Sequence, residues 1–175
     1  DIIKCDKNRL DRMSKTGAHQ GVIAILSACE YKTIADILSA AQISGRPPLV
    51  VVCDHILDPQ NLGAIIRSAE VSGAHGVIIP KKRSPGLTPA VFKASAGAAI
   101  HLPIARTVNI VSAINELKNA GLWVYGADAQ GDASLYSVDL KGPTAIVMGA
   151  EGAGLSRLVR ENCDFIISIP MLGKV

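Results

Sequence analysis

The chain has 175 residues, a formal net charge of +3, 49% hydrophobic residues and only 3% aromatic ones. That length suits roughly one domain, or one with a fragment of another, and an Ile/Val/Leu/Ala core of this kind suits a parallel sheet covered by helices. No apolar run approaches the roughly 18 residues that cross a bilayer and no signal-peptide pattern opens the chain, so a cytoplasmic protein without a membrane span is expected.

The mild positive charge permits a nucleic-acid partner without demanding one. Cys5, Cys29, Cys53 and Cys163 form no C-x-x-C pair and have no close histidine, which argues against both a zinc site and a disulfide framework. Cys53 ends an apolar run and reads as core.

Residues 1–48 are more charged than the remainder of the chain. Lys4, Lys7, Arg9, Arg12 and Lys15 give the start a basic cast, which suits either a solvated surface or a nucleic-acid contact. A strand is expected at 21–26 and a helix at about 33–41. The cluster Ser44-Gly45-Arg46-Pro47-Pro48 then reads as a breaker and domain boundary. From Leu49 strands and helices alternate. Strands are expected at 49–53, 76–79, 100–105, 122–126, 144–148 and 165–169, with the 100–105 segment weakened by Pro103 into an edge-like strand. Helices are expected at 61–71, 88–96, 109–119 and 155–161, and 127–142 reads as a polar loop. The pattern predicts an α/β fold with a mostly parallel sheet and helices on both faces.

Two loops carry the chemistry. After the 144–148 strand come Gly149, Gly152 and Gly154 in a G-x-x-G-x-G order with Glu151 among them. A dinucleotide fold uses G-x-G-x-x-G against a pyrophosphate, and a carboxylate inside the loop would repel that anion, so a less anionic ligand fits better. A tight turn without a ligand explains the glycines equally well. The second locus is Asp54-His55-Ile56-Leu57-Asp58-Pro59-Gln60-Asn61, which leads into a helix bearing Arg67. Asn61 stands where an N-cap belongs, Arg67 is either a surface arginine or an anion binder, and the acids at 54 and 58 suit a helix entry. Lys81, Lys82 and Arg83 make a basic turn, either solvated or in contact with RNA. His55 and His101 read as structural.

Three segments in order, Asp58-Pro59-Gln60-Asn61-Leu62-Gly63-Ala64-Ile65-Ile66-Arg67-Ser68-Ala69, Gly149-Ala150-Glu151-Gly152-Ala153-Gly154-Leu155 and Ile167-Ser168-Ile169-Pro170-Met171, resemble the motifs of the SpoU (TrmH-like) RNA 2′-O-ribose methyltransferases of the SPOUT superfamily. The resemblance runs from Leu49 to the end. Residues 81–105 are similar to the family's connecting segment, and 9–24 to the end of the substrate-binding domain in the branch that methylates a guanosine of 23S ribosomal RNA.

The resemblance implies a trefoil-knotted fold, S-adenosylmethionine as cofactor, an RNA substrate (ribosomal, or else transfer RNA) and a homodimer. It implies backbone contacts to the cofactor from Gly149 and Ile169, an adenine pocket lined by Met171 and Leu172, and an opposite wall near Ala127. Asn61, Arg67 and Glu151 match the family's polar catalytic positions, and Lys81, Lys82 and Arg83 are the candidate RNA contacts. On this reading 1–48 is the remnant of an RNA-binding module plus linker, and 49–175 a methyltransferase domain that stops before the third motif is complete. A catalytically silent RNA-binding relative and an unrelated nucleotide-binding α/β domain are the alternatives.

Overall fold

The computed structural model describes residues 2–14, 17–23, 30–171 and 173. The chain forms two compact units, Asp1–Glu30 and Tyr31–Val175.

In the first unit, α1 (Lys7–Met13) starts at Asp6, whose side chain accepts from the Arg9 amide at 2.8 Å. None of its residues is buried, so the cap and local contacts carry it. His19 Nε2 lies 2.9 Å from Asp11 Oδ1. Half of the strand expected at 21–26, residues 24–26, lies outside the described residues; 21–23 are irregular.

The second unit contains α2 (Ile34–Ser44), β1 (Leu49–Cys53), α3 (Pro59–Val71), β2 (Gly76–Pro80), α4 (Pro89–Ala94), β3 (Ile104–Thr107), α5 (Ile110–Asn119), β4 (Trp123–Ala127), β5 (Ala133–Ser134), β6 (Thr144–Met148), α6 (Arg157–Asn162) and β7 (Phe165–Ser168). The strands make one sheet in the order β3-β2-β1-β6-β4-β7-β5, and every pairing is parallel. Both faces are covered. Val50, Val52, Ile78, Val124 and Val147 pack against α2, α5 and α6, while Val51, Cys53, Val77 and Ile79 pack against α3 and α4. Burial on two faces explains why β1 and β2 read as unbroken apolar runs instead of alternating.

Residues 31–48, placed with the amino-terminal module and its linker on the sequence pattern, fall within the Tyr31–Val175 unit. The physical reason lies in α2, whose Ile34, Ile37 and Ala41 are buried against the sheet. Ile37 sits over Gly76, where an added Cβ would come within 2.5 Å of its side chain. Gly45 closes α2 in the left-handed region, and the Pro48 carbonyl accepts from Thr144 at 2.8 Å, so Ser44–Pro48 is a tight turn into β1. Before α2, Lys32 pairs with β3 at Ala105, the Lys32 amide donating to the Ile104 carbonyl at 2.8 Å.

Two strand expectations shift. Residues 98–100 are a 3-10 turn and β3 begins only at Ile104, after Pro103, which has no amide to give a ladder. The loop at 127–142 holds β5, paired to β7 beside Gly131.

Candidate active site

The parallel register brings four strand ends to one level. Cys53 of β1 pairs with Met148 of β6, Met148 with Ala127 of β4, and Ala127 with Ile167 of β7. The residues just beyond these ends, Asp54, Gly149, Asp128 and Ile169, therefore share one rim at the carboxyl end of the sheet. Chain order reverses between β1 and β6, and ligands of open α/β sheets sit at that reversal.

The glycine loop closes on itself. The Ala150 amide donates to the Gly154 carbonyl at 3.0 Å, and the Gly154 amide returns to the Ala150 carbonyl at 2.8 Å. A Cβ on Gly149 would lie 2.3–2.6 Å from backbone atoms of Gly154 and Leu155. Gly152 and Gly154 take φ of 79° and 64°, a region costly for other residues. Tight closure thus accounts for the glycine order, and the loop presents backbone to whatever lies beside it.

At the start of α6 the Ser156 amide donates to Asp54 Oδ2 at 2.7 Å, with Asp54 fully buried. Helix N-termini attract anions, and here the chain's own carboxylate fills the place a phosphate would take in a dinucleotide fold. Asp128 and Glu151 add two more carboxylates to the rim. Asp128 Oδ2 lies 3.0 Å from Arg160 Nη1.

Asn61 is not the N-cap of α3. Asp58 is, its Oδ2 accepting from the Asn61 amide at 2.8 Å, with Pro59 in the first turn. The Asn61 side chain is therefore free of capping, and its Nδ2 donates to Glu151 Oε2 at 2.9 Å, across ninety positions of sequence. Two of the three expected polar residues thus meet directly. Arg67 does not join them: it lies six residues further along α3, about 9 Å up the axis and roughly 240° around it. It is exposed and makes no hydrogen bond or ion pair among the described side chains.

Ala127 is half-buried at the end of β4, while Ile169 and Met171 are exposed apolar residues beyond β7. Leu172 lies outside the described residues. Lys81, Lys82 and Arg83 are all exposed on the turn after β2. His55 Nε2 lies 3.2 Å from Arg83 Nη1, and its Nδ1 lies 2.6 Å from Asp54 Oδ1. A cleft of about 250 Å³ lined by Arg46, Leu49, His75, Lys141 and Thr144 lies at the opposite, amino-terminal end of the strands, away from these groups.

A doubly covered parallel sheet with a backbone-presenting glycine loop and an asparagine–glutamate pair at its carboxyl end defines an α/β ligand-binding domain that does not cradle phosphate with its α6 terminus. The chain belongs to the SpoU rRNA Methylase family, whose model matches residues 48–175; residues 1–32 match the model for RNA 2′-O ribose methyltransferase substrate binding. It is 46% identical over 169 residues to YacO of Bacillus subtilis, named as belonging to the TrmH family of tRNA/rRNA methyltransferases, covering 97% of this chain and 68% of that one. It is 46% identical over 172 residues to an uncharacterized tRNA/rRNA methyltransferase of Mycobacterium sp. (strain KMS), covering 98% and 55%.

Among solved structures it is similar to the SpoU methyltransferase AviRb of Streptomyces viridochromogenes in complex with AdoMet (TM-score 0.67, 33% identity, 74% of this chain and 51% of that one). It is also similar to an AdoMet-bound rRNA methyltransferase of Sinorhizobium meliloti (TM-score 0.71, 29% identity, 83% and 54%). The chain thus spans between about half and two-thirds of the lengths of these relatives.

Proposed function

We propose that this chain carries the transfer domain of an S-adenosylmethionine-dependent RNA 2′-O-ribose methyltransferase, acting on a 23S ribosomal RNA guanosine or else on transfer RNA. The observation that most supports this reading is the Asn61–Glu151 hydrogen bond, which joins two of the three family motifs at the strand ends. A homodimer, a cytoplasmic setting, a trefoil knot and an RNA-binding role for the amino-terminal module belong to the same proposal.

The residues present suit the cofactor. The rim is acidic, with Asp54, Asp128 and Glu151, and the α6 terminus is already filled by Asp54, which favours a sulfonium over a pyrophosphate. Gly149 and Ile169 would hold the cofactor through backbone, Ala127 would form the opposite wall, and Met171 and Leu172 would cover the adenine. When bound, S-adenosylmethionine supplies an electrophilic methyl group. The chain's own task is to position the ribose hydroxyl and stabilise its oxygen as the proton leaves. Holding both reactants in line supplies roughly 7–11 kcal/mol in ideal cases.

Arg67 is a poor proton acceptor, since an arginine pKa lies above about 12. Its exposed guanidinium, without a hydrogen bond or ion pair among the described residues, suits a bidentate grip on the adjacent phosphate and stabilisation of the developing alkoxide. Asn61 orients the ribose, and Glu151 fixes Asn61 against the glycine loop. Lys81, Lys82 and Arg83 contribute phosphate contacts. One observation favours a catalytically silent RNA-binding relative instead: Arg67 makes no hydrogen bond or ion pair with Asn61 or Glu151.

The test is methyl incorporation from labelled S-adenosylmethionine into unmodified ribosomal or transfer RNA, beside a substrate with 2′-deoxyribose at the modified position, and calorimetric titration with S-adenosylmethionine and, as control, NAD. Saturable cofactor binding with incorporation abolished by the 2′-deoxy substitution is expected. Binding of RNA without any incorporation would replace the enzyme reading with the silent one.

A further inference from the structure

Asp54 is fully buried, yet only one of its oxygens has a well-aligned hydrogen bond. Oδ1 has none, and what faces it is the His55 ring, with Nδ1 at 2.6 Å but off the line a hydrogen bond requires. A buried carboxylate oxygen is costly unless positive charge lies close. The far nitrogen of the same ring, Nε2, lies 3.2 Å from Arg83 Nη1. A guanidinium has only donors, so Nε2 accepts, which leaves the ring proton on Nδ1, the nitrogen beside the carboxylate. Carboxylate, imidazole and guanidinium thus form a row from the buried end of β1 to the exposed turn after β2.

The backbone supports this arrangement at both ends. His55 and Arg83 have φ of 59° and 60°, and they are two of only four non-glycine residues with positive φ among the described ones. Strain of this kind persists where the surroundings over-determine it. The turn itself is tied down without His55. Arg106 Nη2 donates to the Lys81 carbonyl at 2.7 Å, the Lys81 amide donates to the Thr107 carbonyl at 2.7 Å, and the Leu87 amide donates to the Tyr31 hydroxyl at 2.8 Å. His55 therefore sets the Arg83 side chain, while other groups set the turn's backbone.

We infer that His55 is a positioning residue that links the buried Asp54 carboxylate to Arg83 and holds this guanidinium as the phosphate-binding group of the 81–83 turn. The inference rests on the RNA-methyltransferase reading, and it singles out Arg83 over Lys81 and Lys82, whose ammonium groups have no such support.

The experiment is equilibrium binding of a fluorescein-labelled RNA hairpin to the full chain across a salt series. Wild type is compared with Arg83→Met, His55→Gly, the double variant and His55→Gln. Glycine suits the left-handed backbone at 55, so the fold should persist; His55→Asn, also tolerant of that region and too short to reach Arg83, serves if it does not. Arg83→Met and His55→Gly should each weaken binding roughly five- to tenfold and lower the slope of log K against log salt by about 0.7–0.9, the signature of one lost phosphate contact.

The double variant should be no weaker than Arg83→Met. His55→Gln, which has both a donor and an acceptor, should restore most of the loss, and S-adenosylmethionine affinity should be unchanged throughout. The inference is overturned if His55→Gly binds like wild type, if its loss persists undiminished in the Arg83→Met background, or if Arg83→Met itself is neutral. Wild-type protein that binds no RNA would instead overturn the underlying RNA reading, and this inference with it.

Discussion

Gly149→Ala tests the geometry of the glycine loop most directly. The new methyl carbon would stand 2.3 Å from the Gly154 carbonyl carbon, 2.5 Å from its oxygen and 2.6 Å from the Leu155 nitrogen, where ordinary contact begins at 3.4 Å. All three atoms are backbone, so relief requires opening the loop by about 1 Å, enough to break the Ala150–Gly154 pair now at 3.0 and 2.8 Å. Two lost hydrogen bonds at about 1 kcal/mol each, with overpacking strain of about 1–3 kcal/mol, give a destabilisation of roughly 3–5 kcal/mol. For a unit of this size that corresponds to a fall of roughly 6–20 °C in Tm. Gly152→Ala is the control: nothing lies within 4 Å of its added Cβ, so only the φ of 79° is penalised, at about 1–2 kcal/mol. Thermal melts of both variants by circular dichroism, with S-adenosylmethionine titrations, check the ranking. Equal stability losses, or a larger one for Gly152→Ala, would show that loop closure is not what requires Gly149.

Arg67→Ala should abolish methyl transfer while leaving S-adenosylmethionine affinity nearly unchanged, because its guanidinium makes no hydrogen bond or ion pair with the glycine loop; undiminished turnover would remove it from the reaction. His75 is held neutral, its pKa lowered below 6.5 by burial and then by the nearby Arg46 charge, while Nδ1 accepts from the Leu49 amide at 3.1 Å and Nε2 meets Ser44 Oγ at 2.9 Å. The unfolded chain then binds the proton more readily, so this contribution is complete above pH 6.5 and declines as the pH falls below it. Urea melts from pH 5 to 8 should show that decline, and His75→Gln should flatten it. Burial pushes the Cys53 thiol up to about 12, so iodoacetamide at pH 8 should label it only as fast as the chain unfolds; prompt labelling of the native protein would contradict its burial.

The sheet was legible because its central strands are apolar throughout, a pattern that only burial on both faces permits. The edges were less so. At β3 the register is set by pairing with β2, and β5 exists only because β7 lies alongside it; neither partner is visible locally. The polar α1 has no apolar stripe to betray it. The capping of α3 was decipherable: an aspartate before proline is itself a helix-start signal, and Asp58-Pro59 outranks Asn61 as the cap. Asn61 and Glu151 were identified through motif resemblance, and no local rule pairs residues ninety positions apart. His55 carried no signal at all, since its meaning depends on the burial of Asp54 and on a turn 28 residues away.

The three rim carboxylates are each engaged by this chain, Asp54 by the Ser156 amide, Asp128 by Arg160 and Glu151 by Asn61. Each of these contacts ties down a loop at the strand ends. The negative charge of these carboxylates favours a cation over a phosphate beside the rim. The cationic groups Arg67, Lys81, Lys82 and Arg83 are exposed, as is Glu151. Acid thus lines the rim from the buried Asp54 to the exposed Glu151, and base stands on α3 and on the turn after β2. On the proposed reading, an RNA strand would meet Arg67, Lys81, Lys82 and Arg83, while the carboxylates beside the glycine loop would repel its phosphates.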